Sequence, residues 1–225
     1  MDKPNSLIMS NEIYLDFEGD WYHINLLTPA GSVWIVEWGD GASKRHISTG
    51  EWQWDSHGYD FSEGNFHTIH IFTENGEDIV GFGASTDVGQ TLKNVNISNC
   101  PSLMYFQNAY AENIDTSHNP LLKELHCEYG TFDTLDLSNN PMLEKLTCYS
   151  CKNLNELNLS RNLALRELEL NYSGIKRLGL HNRSSLQNVQ LFDVELDERS
   201  EKYLRQVVGQ NGGNIIKDYK DYDFL

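Results

Sequence analysis

"TLDLSNNPMLEKLTCYSCKNLNELNLSRN", residues 134–162, repeats itself with variation. Leucines come in pairs, Leu135/Leu137 and Leu157/Leu159, each pair followed by serine and, two residues later, by asparagine. A Leu146-Thr-Cys148 phrase lies between them. Followed outward, the first kind of phrase recurs as Val95-Asn-Ile97, Ile114-Asp-Thr116, Leu135-Asp-Leu137, Leu157-Asn-Leu159 and Leu178-Gly-Leu180. The second recurs as Phe106-Gln-Asn108, Leu125-His-Cys127, Leu146-Thr-Cys148, Leu168-Glu-Leu170 and Val189-Gln-Leu191. Both series advance by 19, 21, 22 and 21 residues. Self-similarity at such a period marks a solenoid.

The residue types follow from the geometry of stacked coils. Alternating apolar positions in a short strand put their side chains on one side of it, here inward. One coil cannot hide its leucines alone, whereas coils stacked about 4.8 Å apart share a continuous core. Leu103, Leu122, Leu143, Leu165 and Leu186, each three residues before a strand of the second series, are expected in the same interior. Asn119, Asn140 and Asn162 form a column in which a buried amide can bond turn backbone that no strand satisfies. Cys100 and Arg183 replace asparagine at the two ends of that column, and Pro101, Pro120 and Pro141 follow it and stop strand pairing.

These phrases resemble the leucine-rich-repeat family, in particular its short bacterial variety of about 21 residues. In that variety a Leu-x-x-Leu-x-Cys half alternates with a Leu-Asp-Leu-Ser-x-Asn half. The resemblance spans residues 89–196 and departs from the pattern at Asn108, Gly130, Cys151 and Ser173. Residues 197–225 are expected to cap the solenoid. Acids lead "LDERSEKYLRQVVGQNGG", Tyr203, Leu204, Val207 and Val208 make an apolar stripe, and Gly212-Gly213 close it, which predicts a helix. "NIIKDYKDYDFL" then predicts a last strand and an acidic tail.

Residues 12–88 have another rhythm, with β-rich runs of five to nine residues separated by Gly, Asp, Asn or Pro, as in a small β-sandwich. Trp38-Gly-Asp-Gly41, His57-x-Tyr59 and Gly64-x-Phe66 resemble the polycystic-kidney-disease (PKD) type of immunoglobulin-like domain. Joined to short leucine-rich repeats, such a module implies an exported or surface-attached bacterial protein without enzymatic activity. The fold expected is therefore mainly β, a PKD-like sandwich followed by a leucine-rich-repeat solenoid with a helical cap. Residues 1–11 are read as a flexible tail.

The formal charge of −16 is unevenly placed, with fifteen acids against three bases in residues 1–88 and eighteen against fourteen thereafter. So acidic a surface repels phosphate backbones and anionic lipid, so nucleic acid is not expected as a partner. No apolar run approaches the roughly 20 residues of a membrane span, and "SLIM" near the start is too short for a signal-peptide core. The four cysteines are too few for a disulfide scaffold, and Cys127 and Cys148 are expected as buried thiols in the leucine column. Cys148-Tyr-Ser-Cys151 has metal spacing but lacks a second ligand pair. Asp218, Asp221 and Asp223 lack a calcium-loop pattern, so neither metal nor cofactor is expected.

If the Cys-containing half forms the concave strands, the residues flanking each inward pair form one surface. They are Tyr105, Gln107 and Ala109 on the first coil, Glu124, His126 and Glu128 on the second, and Lys145, Thr147 and Tyr149 on the third. Glu167, Glu169 and Asn171 follow on the fourth and Asn188, Gln190 and Phe192 on the fifth. Such faces are the usual binding surfaces of solenoids, with Tyr105, Tyr149 and Phe192 as anchors. Glu167 and Glu169 share a face at roughly the carboxylate spacing of inverting glycosidases, but an open strand supplies no enclosing cleft. Trp52 and Trp54 alternate, so both share a face. They either stack on a sugar or complete the sandwich core, and core packing is expected because so small a sandwich has few other large side chains. The function expected is that of a secreted or cell-surface monomer binding a protein or glycan on the solenoid. A spacer without a solenoid ligand and a glycan-binding sandwich are the alternatives.

Overall fold

The structure, a computed structural model, describes residues 11–59, 66–86 and 90–218. The expected tail as far as residue 10, the Gly64 turn and the acidic tail beyond residue 218 lie outside the described residues. Asn11, read with the tail, is buried, and its amide donates to the Gly76 carbonyl at 3.1 Å.

The chain is mainly β. Eight strands come first: β1 (Glu12–Glu18), β2 (Trp21–Leu27), β3 (Val33–Glu37), β4 (Ser43–Ile47), β5 (Gln53–Gly58), β6 (Phe66–Thr73), β7 (Gly81–Thr86) and β8 (Thr91–Asn96). One five-stranded sheet has the order β4-β3-β6-β1-β8. β2 pairs antiparallel with β5 on one side and β7 on the other. Period-two burial faces the two groups toward a shared core, where the Phe17 and Tyr22 rings lie 4.6 Å apart and Trp34 and Phe82 are fully buried.

The solenoid follows. Its strands β9 (Tyr105–Ala109), β10 (Glu124–Glu128) and β11 (Lys145–Tyr149) precede β12 (Glu156–Asn158), β13 (Glu167–Glu169), β14 (Arg177–Gly179) and β15 (Asn188–Gln190). α1 (Glu198–Gln210) and β16 (Asn214–Ile216) end the fold. The Cys-containing half-repeats stack in parallel register, Leu125 beside Phe106 and Leu146 and Cys127 beside Cys148. Leu103, Leu122, Leu143, Leu165 and Leu186 are fully buried among them. Among the described residues, the other half-repeats pair with one another as strands between β12 and β14. α1 starts on Asp197, whose carboxylate accepts from the Ser200 amide at 2.7 Å, and it buries Leu204, Val207 and Val208. The Ser200 hydroxyl in turn accepts from the Leu178 amide at 3.0 Å, which holds the helix against β14.

Hydrogen bonding crosses the boundary expected between residues 88 and 89. β7 pairs in parallel with β9, from Gly81 opposite Tyr105 to Ala84 opposite Asn108. A single sheet thus runs β16-β15-β13-β11-β10-β9-β7-β2-β5. In the other direction, β8, whose Val95 begins the first half-repeat, lies antiparallel against β1. Repeat pattern and strand alternation are the same at that position, and the edge of β1 is the partner it finds.

The asparagine column works as the spacing predicts. Asn119 Nδ2 donates to the carbonyls of Ile97 and Cys100, Asn140 Nδ2 to those of Thr116 and Asn119, and Asn162 Nδ2 to those of Leu137 and Asn140, all at 2.9–3.0 Å. Each buried amide thus satisfies the turn of the coil before it. After the last coil, Asn211 at the end of α1 takes over, donating to Ser184 and Leu186 carbonyls at 2.8 Å.

Trp52 and Trp54, expected in the core, are 39% and 68% exposed. The inward positions of β5 belong to Gln53 and Asp55, and the core is filled from β1, β2, β3 and β6 instead. Asp55 is buried at the edge, where its carboxylate accepts from Lys44 Nζ at 2.6 Å and contacts His46 Nε2 at 2.7 Å. His46 stacks on Trp34, whose indole N–H donates to Gln53 Oε1. These contacts tie β4, the edge of one sheet, to β5, the edge of the other.

Two predictions follow from these contacts. Asn140→Ala strands two buried carbonyls and the Thr116 hydroxyl, so it is expected to lower unfolding stability by about 3 kcal/mol. Asn182→Ala on the exposed surface should stay within about 0.5 kcal/mol in the same urea titration. At Asp55, burial alone would raise the carboxyl pKa, but the Lys44, His46 and Ser56 hydrogen bonds outweigh it and hold the value below the ordinary 3.8. A depressed folded pKa means stability that is present above the ordinary aspartate range and lost as pH falls through the folded value. Asp55→Asn is therefore expected to be less stable at pH 7 and to show a shallower acid limb when urea midpoints are compared between pH 7 and pH 2.

Candidate functional site

The outward residues of the long sheet fall into rows fixed by strand register. One row runs from Trp54 beside Asn25, through Gly83 and Gln107, to His126. It continues through Thr147 and Glu169 to Gln190. The next row joins Leu27, Gly81 and Tyr105 to Glu124, Lys145, Glu167 and Asn188. The surface expected on the solenoid and the tryptophan pair expected on the N-terminal module are thus parts of one face.

Where they meet there is a groove of about 510 Å³. Trp52 and Trp54 form one wall, Tyr105, Gln107, Glu124 and His126 the other, and Asn25 lies between. The Trp52 and Tyr105 rings are 6.5 Å apart, edge to face. Glycines on β7 make this approach possible. A Cβ on Gly81 would stand 2.5 Å from the Trp52 ring, and one on Gly83 would collide with Asn25 Oδ1. A strand glycine marks close approach of another group, here the indole and the amide. The groove presents aromatic faces at one end and hydrogen-bonding groups at the other, including the His126–Glu124 pair at 3.5 Å.

Further along the face, Lys145 Nζ lies 3.3 Å from Glu167 and 3.4 Å from Glu169. Burial works against its charge, yet Glu169 and Glu167 outweigh burial and hold the ammonium pKa above its ordinary range. Both carboxylates are thereby engaged by one cation on an open strand. Thr147 is buried beside them, and its hydroxyl donates to Glu169 at 3.5 Å.

Besides Thr147, two expected surface residues are buried. Phe192 and Asn171 are only 6% and 7% exposed. β13 and β15 end after three residues, at Glu169 and Gln190, so the alternation that would have turned these side chains outward stops before reaching them. Asn171 instead bonds its neighbouring coil, accepting from the Phe192 amide at 3.0 Å and donating to Gln190 Oε1 at 3.2 Å.

Sequence reasoning missed a tyrosine ridge at the ends of the same strands. Tyr110 stacks on Tyr129 at 5.1 Å, Tyr129 meets Tyr149 at 5.5 Å and Tyr149 meets Tyr172 at 5.4 Å. Tyr110, Tyr129, Ser150, Tyr172 and Asp193 recur at the solenoid period, and all have left-handed backbone with φ between 53° and 60°. That conformation is uncommon for bulky residues and is held here by amides bonded coil to coil, such as Tyr129 N–H to the Tyr149 carbonyl at 2.8 Å. Tyr149, the last residue of β11, is among the expected anchors, but Tyr110, Tyr129 and Tyr172 follow their strands rather than alternate within them, so period-two reading passes over them. Their shared spacing was the available signal.

The cysteines carry no bridge: all four are free and buried. Contacts with the Cys127 and Cys151 thiols, then burial, push the Cys148 thiol well up, and burial raises Cys100 to about 12. Among the described residues, no group of three or more His, Cys, Asp or Glu side chains is placed to hold a metal ion. No helix of the described residues is long and apolar enough to cross a membrane.

No family model matches the chain, and no curated protein does. Among solved structures it is similar to the functional domain of InlJ from Listeria monocytogenes, which includes a cysteine ladder. The identity is 18% and the TM-score 0.37, over 44% of this chain and 27% of that one.

The left-handed positions can be tested directly. Ser150→Gly relieves strain without removing a ring, so the urea midpoint should rise by the equivalent of about 0.5–1 kcal/mol. Tyr129→Gly relieves the same strain but removes two ring contacts, and a net loss of stability is expected from it.

Proposed function

We propose that this chain is a non-enzymatic binding protein that holds a glycan in the groove lined by Trp52, Trp54 and Tyr105. The observation that carries the reading is the pair of solvent-exposed indoles facing a tyrosine across a strand whose outward positions are glycine. Sugar rings present C–H faces that stack on aromatic rings and hydroxyls that need partners. Gln107, Glu124 and His126 offer those partners on the opposite wall. The engagement of Glu167 and Glu169 by Lys145 supports the absence of catalysis, since an acid and a base with separate roles need different environments.

Residues 12–88 are read as the PKD-like immunoglobulin-like sandwich. Support comes from the Trp38–Gly41 turn, where Gly39 has φ +88° and lies so near the Thr68 carbonyl that a Cβ would be 2.5 Å from it. The Tyr59 hydroxyl donates to the Trp38 carbonyl at 2.7 Å, closing that turn. The protein is read as a secreted or surface-displayed bacterial monomer working without a cofactor.

A second reading has one observation in its favour. The tyrosine ridge is the kind of residue that dominates protein interfaces, so it fits a protein partner. One set of variants separates the two. Glycan-array screening and calorimetry should show Trp52→Ala/Trp54→Ala losing at least about tenfold in sugar affinity, with Tyr129→Ser/Tyr172→Ser unchanged. Retention of all sugar binding by the tryptophan variant would sink the glycan reading. Loss of a pulled-down protein from the tyrosine variant alone would select the second.

A further inference from the structure

We infer that the groove is built for an unbranched, uncharged, extended pyranose chain that crosses the strands, three or four sugars long. This rests on the glycan reading above and adds the shape, length and charge of the ligand.

Shape comes from which strands line the groove. Its lining residues stand on or beside β5, β2, β9 and β10, and with β7, whose outward glycines lie beneath Trp52 and Asn25, these are five consecutive neighbours in the sheet. Four interstrand steps at about 4.8 Å make a length of about 19 Å. Along each strand, by contrast, the lining uses only two outward positions at most, as in Tyr105 and Gln107 or Glu124 and His126. Two such positions are about 7 Å apart, the width of one sugar ring. The groove is therefore long across the strands and narrow along them. An equatorially linked pyranose chain advances by close to one strand spacing per sugar, so each successive ring meets a new strand. The first rings stack on Trp54 and Trp52, the middle of the chain passes over Asn25, which with Trp52 covers the β7 glycines, and the far sugar reaches Gln107 and His126.

Charge comes from the same lining. Among the described residues that line it there is no lysine or arginine, while Glu124 is present. The nearest cation along the row, Lys145, is held by Glu167 and Glu169. A uronate or sulfate chain would meet net repulsion on a protein of charge −16.

The test is calorimetry of the full chain with β-1,4-linked glucose oligomers of one to six sugars. The α-1,4-linked series, which curls, and α-1,4-linked galacturonate oligomers serve as comparators. Affinity is expected to rise at least about tenfold from two to four sugars and then level off. The curled and charged series should bind more weakly at equal length. His126→Ala, with its fold checked by circular dichroism, should weaken the four-sugar ligand and leave the two-sugar ligand unchanged. Equal affinity for two and six sugars overturns the extended chain while tryptophan-dependent binding leaves the glycan reading standing. Galacturonate binding as tight as glucose overturns the charge assignment, and indifference of the four-sugar ligand to His126→Ala overturns the placement. If no sugar in any series binds through the tryptophans, the glycan reading falls as well.

Discussion

The parallel pairing of β7 with β9 is the contact on which the rest of the molecule depends. It sets the first rung of the solenoid in register with a strand of the N-terminal module. Because side chains alternate with period two, that register also decides which residues of both parts share a face. A slip of one residue would turn Gln107 and His126 away from Trp54, and no groove would exist. Gly81 and Gly83 leave room for Trp52 and Asn25 to lie directly on the strand, since any side chain there would displace them. The junction is therefore specified by close packing as well as by backbone hydrogen bonds.

The pairing also solves a problem that every solenoid has at its ends. A coil buries its leucines only against another coil, and a terminal coil leaves apolar surface and strand edge open. At the first coil, β7 supplies the missing strand and β8 gives its apolar positions to the β1 sheet. At the last, β16 pairs with β15 while α1 lies against β14, its Ser200 hydroxyl taking the Leu178 amide. Between these ends the asparagine column answers the polar counterpart of the same problem. Every tight turn leaves carbonyls that no strand can satisfy, and one buried amide per coil takes two of them.

Strain and charge are placed where this framework can hold them. The left-handed residues sit just past β9, β10, β11, β13 and β15, where the chain turns out of the long sheet, and coil-to-coil amide bonds hold Tyr110, Tyr129, Ser150 and Tyr172 in place. Three of the five positions carry tyrosine, so the same turn that costs backbone energy brings rings into contact across coils. The acid surplus is partly absorbed in local pairs, Asp55 with Lys44 and His46 at the sheet edges and Glu167 and Glu169 with Lys145 on the long face.

Much of the solenoid was legible in the residues. The 19-, 21-, 22- and 21-residue steps, the inward Leu125/Cys127 and Leu146/Cys148 pairs and the Asn119–Asn162 column depend on local periodicity, and periodicity is written in the chain. The helix over residues 198–210, with Asp197 before it, was equally local. The candidate site was legible only in halves. Alternation placed Trp52 with Trp54 and Tyr105 with Gln107, but it could not say that the tryptophans face solvent, because Asp55 and its partners from another strand hold the inward side. Nor could it foresee the burial of Phe192, which depends on where β15 stops. The sequence by itself determined the rungs and what each rung buries. Only the tertiary structure decided that β7 pairs with β9, and with that, which side chains stand together in water, because pairing between distant segments is chosen by packing that no single segment encodes.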